Sequence, residues 1–262
     1  MFQPHDDTRP LLPDERAHLI LEQLQSRGRV LASELAQQLN TSEHTVRRHL
    51  RELADAGHCK RVYGGALLTA PVTLNAATRM RLAVDRKARL ATAAVTIVRP
   101  GQTILLDSGS TNIAIAEALP DNAGLTVITN SPDACSRLLG RPGFDVILIG
   151  GRLSAHAAGS LGATALLQVQ QVKADLCFVG VCAFDPADGI ASVDPEEAEL
   201  KRAIVKASGQ VAVALTSDKL MTTAPFFVAP ASAVEYVVVE ADLGEERLAQ
   251  LRRSCGNVII AA

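Results

Sequence analysis

Apolar residues recur along this chain in two rhythms, and the rhythm changes near residue 100. Before it the spacing is helical. Val46, Leu50 and Leu53 fall at i, i+4 and i+7 and predict one buried stripe. That helix starts at Ser42, whose hydroxyl can accept from the free backbone amide near Thr45. At about 100° per residue, His44, Arg48, Arg51 and Asp55 lie opposite the stripe. Arg47 falls on one flank, with Thr45, His49 and Glu52 on the other. Upstream, Arg16 to Ser26 predicts a first helix with Leu19, Ile20, Leu24 and Ala17 turned inward, and Ser33 to Leu39 predicts a second, packed through Leu35, Ala36 and Leu39.

Beyond Gly101 short apolar runs alternate with helical stretches. The runs are Thr103–Leu106, Thr126–Ile128, Val146–Ile149, Leu176–Val181, Val211–Leu215, Val234–Val239 and Val258–Ile260. Most lack strict alternation, the mark of strands buried on both faces of a parallel or mixed sheet. Helices are predicted at Thr111–Leu119, Pro132–Leu139, Leu161–Val172, Pro195–Ala207 and Glu245–Arg253. This half reads as an open α/β sheet. Between the two halves, residues 67–78 have weak periodicity and read as a linker. Arg79 to Val98 then predicts one helix, burying Ala83, Ala91, Val95 and Val98 and exposing Arg79, Arg81, Arg86, Lys87 and Arg89 as a solvated face.

The first half carries the chemistry of duplex DNA recognition. The break at Asn40-Thr41-Ser42 is as short as a helix-turn-helix requires. Gly57 ends the next helix, and residues 58–63 are long enough for a hairpin strand presenting Lys60 and Arg61 to phosphates before Gly64-Gly65. The expected DNA contacts are Ser42, His44, Thr45, Arg47, Arg48, Arg51, Lys60 and Arg61, arginine being able to pair bidentately with guanine in the major groove. The competing reading, an amphipathic helix with arginines on its wet side, explains that helix alone but not the three-helix order and the basic segment together. His44, His49, His58 and Cys59 lack metal-ligand spacing, so no metal is expected.

Charge refines the picture. Residues 1–66 hold nine Lys/Arg and nine Asp/Glu, and the whole chain is at −2. A protein that coats DNA without selectivity is expected to be basic throughout. A neutral reader instead favours a homodimer or homotetramer that places contacts on several half-sites, paired through residues beyond about 80. The five cysteines are scattered without paired spacing and read as free thiols in a reducing cytoplasm. The polar, proline-rich start is unlike a signal peptide, residues 1–12 read as a disordered tail, and no apolar run approaches a membrane span.

In open α/β sheets, ligands bind beyond the carboxyl ends of strands, where loops meet helix N-termini. The best candidate is Asp107-Ser108-Gly109-Ser110-Thr111, where a strand runs through glycine and hydroxyl residues into a helix. Backbone amides, the helix dipole and three hydroxyls would cradle a phosphate without cationic help. Asp107 is expected to prop the loop or meet hydroxyls rather than touch phosphate. The spacing is neither a Walker loop nor GxGxxG, and a turn that merely caps a helix is the plainer alternative. Thr129, Asn130, Gly150, Gly151 and Lys219, also at strand ends, complete the expected effector site.

Taken together these motifs resemble the DeoR family of bacterial transcriptional regulators over nearly the whole chain. In the reader they are Thr41-Ser42-Glu43-His44-Thr45-Val46-Arg47-Arg48-His49-Leu50, then Leu53, Gly57, Arg61 and Gly64-Gly65-Ala66. In the second half they are Asp107–Thr111, Thr129–Ser131, Gly150-Gly151, Phe178–Gly180, Gly189, Lys201-Arg202 and Asp218-Lys219. The resemblance implies a winged helix-turn-helix, residues 13–66, joined to a sensor, residues 79–262, related to ribose-5-phosphate isomerase and CoA transferases. It implies a repressor of a sugar or polyol operon that binds double-stranded operator DNA and responds to a phosphorylated sugar or polyol, without a cofactor. Three departures stand out. His49 replaces the family's aspartate, the second helix lacks a good N-cap at Leu31, at a cost of about 1 kcal/mol, and the family's serine beside the sensor lysine is matched only by Ser217. The alternatives are a sugar-phosphate isomerase, for which no tight acid–base cluster is evident, and a DNA-binding protein indifferent to ligand.

Overall fold

The computed structural model describes residues 12–69 and 76–262. The chain divides after Thr69 into two compact units.

In the first unit the helical rhythm produces α1 (Pro13–Arg27), β1 (Arg29–Leu31), α2 (Ala32–Gln38) and α3 (Glu43–Asp55), followed by β2 (Cys59–Val62) and β3 (Gly65–Thr69). Ile20, Leu24, Leu35, Val46, Leu50 and Leu53 meet in one core, each contributing about 1.5–3 kcal/mol if fully buried. β3 pairs antiparallel with both β1 and β2. This explains the Gly64-Gly65 pair. Gly64 takes a left-handed turn at φ 82°, and a Cβ on Gly65 would sit 1.9 Å from the Val30 carbonyl oxygen. The expected tail at 1–12 needs correction at its end, because Leu12 caps α1 and donates its amide to Glu15 at 2.9 Å; residues 1–11 lie outside the described residues. The expected linker shortens as well. Residues 67–69 belong to β3, where they pair with β1 and β2, and 76–78 open the next helix; 70–75 lie outside the described residues.

The second unit begins with α4 (Ala76–Arg81) and α5 (Val84–Ala94). One helix was expected over Arg79–Val98; instead Ala83 turns left-handed at φ 52° and separates two. There follow β4 (Thr103–Leu106), α6 (Ser110–Ala118), β5 (Leu125–Thr129), α7 (Pro132–Leu138) and β6 (Phe144–Leu148). A hairpin, β7 (Arg152–Ser154) and β8 (Gly159–Leu161), leads to α8 (Ala163–Gln170) and β9 (Ala174–Phe178). Then come β10 (Ala183–Asp185), β11 (Gly189–Ser192), α9 (Pro195–Lys206), β12 (Ser208–Ala214), β13 (Thr222–Thr223), β14 (Phe226–Ala229), β15 (Tyr236–Glu240), α10 (Glu245–Ser254) and β16 (Asn257–Ala261).

The seven strands predicted from apolar runs form one sheet, ordered β16-β15-β12-β9-β4-β5-β6, with parallel ladders throughout. Its residues alternate between two cores. Leu105, Cys177, Val211, Val213 and Val237 face α8–α10, whereas Ile104, Leu106, Phe178, Ala212 and Val238 face α5–α7. Short antiparallel strands β10, β11 and β14 make a small second sheet. Chain order reverses between β4 and β9. Connections from these neighbours leave in opposite directions and open a crevice beyond their carboxyl ends.

Candidate functional site

In the first unit, α3 is held at its start by Ser42, whose Oγ accepts from the Thr45 amide at 3.2 Å. Thr41 is fixed from α1 by a 3.3 Å hydrogen bond donated by Arg16. His44, Arg47, Arg48 and Arg51 are exposed along the outer face, and Thr45 is half-buried. Arg47 pairs with Glu43 at 2.8 Å, and Arg48 lies 3.7 Å from Glu52. Among the described residues Arg51, Lys60 and Arg61 have no ion-pair partner. The structure corrects His49, which was expected on an exposed flank. It is 2 % exposed beneath the helix, with Nδ1 3.1 Å from Glu52 Oε2. Tyr63 shares the β2–β3 turn with Gly64 and is fully exposed, a wing-tip residue that the helical pattern gave no reason to select.

In the second unit a cavity of about 540 Å3 occupies the crevice where chain order reverses. Ser108, Gly109, Ser110 and Thr111 line it at the start of α6. The hydroxyls of Ser108 and Thr111 are buried and have no hydrogen-bond partner among the described residues. A dianion here would meet free donors and the positive end of a helix.

Asp107 supports this loop from beneath and is 1 % exposed. Its Oδ1 accepts from the Ser108 amide at 2.8 Å, while Oδ2 accepts from the Gly180 amide at 2.8 Å and from Lys201 Nζ at 2.5 Å. Asn112 donates to the Asp107 and Phe178 carbonyls at 3.0 and 2.9 Å, fastening the ends of β4 and β9 together. A Cβ on Gly180 would lie 2.2 Å from the Ser108 carbonyl oxygen, so bare backbone is required there. Lys201 also reaches Glu197 at 3.1 Å. Burial raises the Asp107 pKa despite this cation. Burial opposes the Lys201 charge too, but Asp107 and Glu197 outweigh it and hold the ammonium protonated. Burial likewise works against the Glu197 charge, and Lys201 overcomes it, keeping that carboxyl below its usual range.

The remaining expected residues divide. Lys219 lines the cavity and donates to the Val181 carbonyl at 2.7 Å. Thr129, Asn130, Gly150 and Gly151 are absent from the cavity lining. Thr129 and Asn130 are fully buried; Thr129 Oγ1 accepts from the Ser131 amide at 3.0 Å and Asn130 Nδ2 donates to the Ser160 carbonyl at 3.3 Å, while the buried Asn130 Oδ1 has no hydrogen-bond partner among the described residues. The Gly150 amide is taken by Gln168 at 3.0 Å.

Cations from the α4–α5 region also line the cavity, although they were read as a solvated face and the phosphate site as needing none. They are Arg79, Arg86 and Lys87. Arg79 donates to the His156 carbonyl at 2.5 Å. Arg86 makes a two-pronged pair with Glu240, both contacts at 2.5 Å. Burial opposes the Glu240 charge, but Arg86 and Ser217 bring its pKa down to about 2. Lys87 is 7 % exposed and donates to the carbonyls of Arg79 and, at 2.6 Å, Leu82. Burial, then the adjacent Lys219 charge, lower its pKa to about 8. The sequence signal for these residues was the basic run itself; the helix break that turns them inward was not visible.

Comparison with known proteins divides at the same place. A family profile described as the DeoR-like helix-turn-helix domain matches residues 16–72, and one described as the DeoR C terminal sensor domain matches residues 82–241. The chain is 30% identical over 213 residues to the HTH-type transcriptional regulator GlpR of Haloferax volcanii, covering 80% of this chain and 83% of that one. It is 28% identical over 228 residues to the glycerol-3-phosphate regulon repressor of Escherichia coli K12, covering 87% and 90%. Among solved structures, ribose 5 phosphate isomerase A from Neisseria gonorrhoeae overlaps 53% of this chain and 54% of its own, at 16% identity and a TM-score of 0.37. No helix among the described residues is long and apolar enough to cross a membrane. With one profile on each unit and together spanning most of its length, the chain belongs to the DeoR family: it is a helix-turn-helix transcriptional regulator with a C-terminal sensor domain, not an enzyme.

Proposed function

We propose that this regulator represses a sugar or polyol operon in the cytoplasm, and that a phosphorylated sugar or polyol in the α6 cavity controls its grip on operator DNA. The observation that carries this reading is the pair of buried, partnerless hydroxyls, Ser108 and Thr111, at a helix start facing a cavity with several cations. A neutral polyol alone would not need them. The name of the Escherichia coli relative, a glycerol-3-phosphate regulon repressor, accords with such a ligand. In the reader, Ser42, His44, Thr45, Arg47, Arg48 and Arg51 meet the major groove, while Lys60, Arg61 and Tyr63 on the wing meet the backbone beside it. A homodimer or homotetramer sets two such helices on paired half-sites. Ligand shifts DNA affinity by no more than its own preference between the two arrangements of those helices.

The test is a polarisation titration of the chain's own promoter DNA against a panel of phosphorylated sugars and polyols. At least one is expected to change operator affinity about 5- to 150-fold. Ser110→Glu, at the first turn of α6 where an acidic residue suits the helix dipole, is expected to keep operator binding and lose the response. A panel without effect, or a variant responding like the parent, would overturn the reading.

A further inference from the structure

Lys87 combines three properties that rarely coincide without a ligand. It is buried, it lines the cavity, and no carboxylate among the described residues lies within ion-pair distance of its ammonium. Two of its three protons go to neutral acceptors, the carbonyls of Arg79 and Leu82. Those carbonyls close α4, where a helix leaves its last acceptors unsatisfied. Lys87 therefore serves as the C-terminal cap of α4, reaching back across the break from α5. The break is strained, since Ala83 sits in the left-handed region without being glycine.

The charges facing Lys87 sharpen the point. Arg79 comes from α4, Arg86 from its own helix, and Lys219 and Asp218 from the turn after β12. Cations outnumber the single acid. Burying an ammonium costs free energy that neutral carbonyls only partly return. A phosphate in the cavity offers a charge-assisted bond, roughly twice as strong as one between neutral groups.

We propose that Lys87 is an anion-binding residue of the sensor, and that the anion competes with the end of α4 for its ammonium. Binding draws Nζ away from Arg79 and Leu82 and frees α4 to change its angle at Ala83. α4 opens the sensor unit, six residues along the chain from β3 of the reader, so its release is a covalent route by which an occupied cavity biases the reader. Arg86 stays fixed by Glu240, leaving α5 as the stationary side of the hinge.

This inference rests on the phosphate-sensor reading, and one experiment separates the two. Hydrogen exchange is measured on the full chain with and without saturating inorganic phosphate. Phosphate is expected to slow exchange at 110–112 and to speed it several-fold at 76–83. In Lys87→Met, exchange at 76–83 is expected to be fast from the outset and indifferent to phosphate, with 110–112 still protected; Lys87→Arg, which keeps a cation, is expected to restore the phosphate effect at least in part. Protection at 110–112 with unchanged or slower exchange at 76–83 in the parent overturns the Lys87 proposal alone. Absence of protection at 110–112 overturns the sensor reading, and this proposal with it.

Discussion

The cations of the two units live under opposite conditions. On α3, Arg47 and Arg48 are exposed and paired with Glu43 and Glu52 one helical turn away. Such pairs contribute only about 0.3–0.5 kcal/mol and are screened by salt, so they yield readily to a DNA phosphate. Around the cavity, Lys87 is buried and Lys219 half-buried, and both are bonded to carbonyls. The first arrangement keeps charge available by leaving it wet. The second keeps charge unsatisfied by burying it without a counterion. A surface that must sample many DNA sites suits the first, and a sensor for one small anion, as proposed for this cavity, suits the second.

The comparison breaks most visibly at Arg51, which among the described residues has neither carboxylate nor carbonyl to release. Arg51→Ala is expected to cost about 1–3 kcal/mol in operator affinity, roughly 5- to 150-fold, with the fold intact because the side chain lies off the buried stripe. Polarisation on operator and random duplexes decides its role. A loss on operator alone marks base reading, equal loss marks a phosphate contact, and no loss removes Arg51 from the interface.

An intermediate effect separates buried from exposed charge by pH. With Lys87 at about 8, the free protein loses that proton as pH rises through 8, while a bound dianion pulls the pKa back up. Anion binding then takes up a proton, and affinity declines above pH 8. Arg79, Arg86, Asp218 and Lys219 face the same ammonium. The hydrogen bond to Glu240 raises the pKa of Arg86 and keeps it charged across pH 7 to 9. Burial lowers Lys219 as well, and its proton loss would add to the decline in the same direction. Calorimetry with inorganic phosphate from pH 7 to 9 should show the decline in the parent, and a flatter profile in Lys87→Met. Identical profiles would place the ammonium outside the anion's reach.

The smallest effect belongs to the surface pairs. Glu52→Gln removes the partner of Arg48 and one negative charge from the DNA-facing helix. Operator affinity is expected to rise by a few tenths of a kcal/mol at low salt and to converge with the parent at high salt. A loss of affinity would mean that Glu52 chiefly positions His49, the other group it touches.

The same contrast explains what could be read from residues alone. Each of the seven apolar runs became a strand of the main sheet, because burial on both faces leaves a composition that little else produces. The β7–β8 hairpin and the strands β10, β11 and β14 escaped notice, being only three or four residues long. The Ser108–Thr111 loop was legible because a strand, glycine and hydroxyls adjoin in the chain. Thr129 and Asn130 had the same signature and turned inward, since a polar strand end does not disclose whether its partner is a ligand or a neighbouring loop. Lys87 was illegible for a related reason. An unbroken helix would have kept it wet, and only the left-handed Ala83 brings the carbonyls of α4 within its reach.

The contact of Gly180 with the Ser108 carbonyl has a bearing on divergence. No side chain can be accommodated at Gly180 without displacing the loop, and Asp107 is committed to four groups at once through Ser108, Gly180, Lys201 and, by its carbonyl, Asn112. Mutational drift is closed on this floor. It remains open on the rim, where the half-buried Val193 and His156 line the same cavity. A library confined to rim positions would therefore explore new inducers while inheriting the anion cradle unchanged, which makes the sensor half a practical starting point for regulators with chosen specificity.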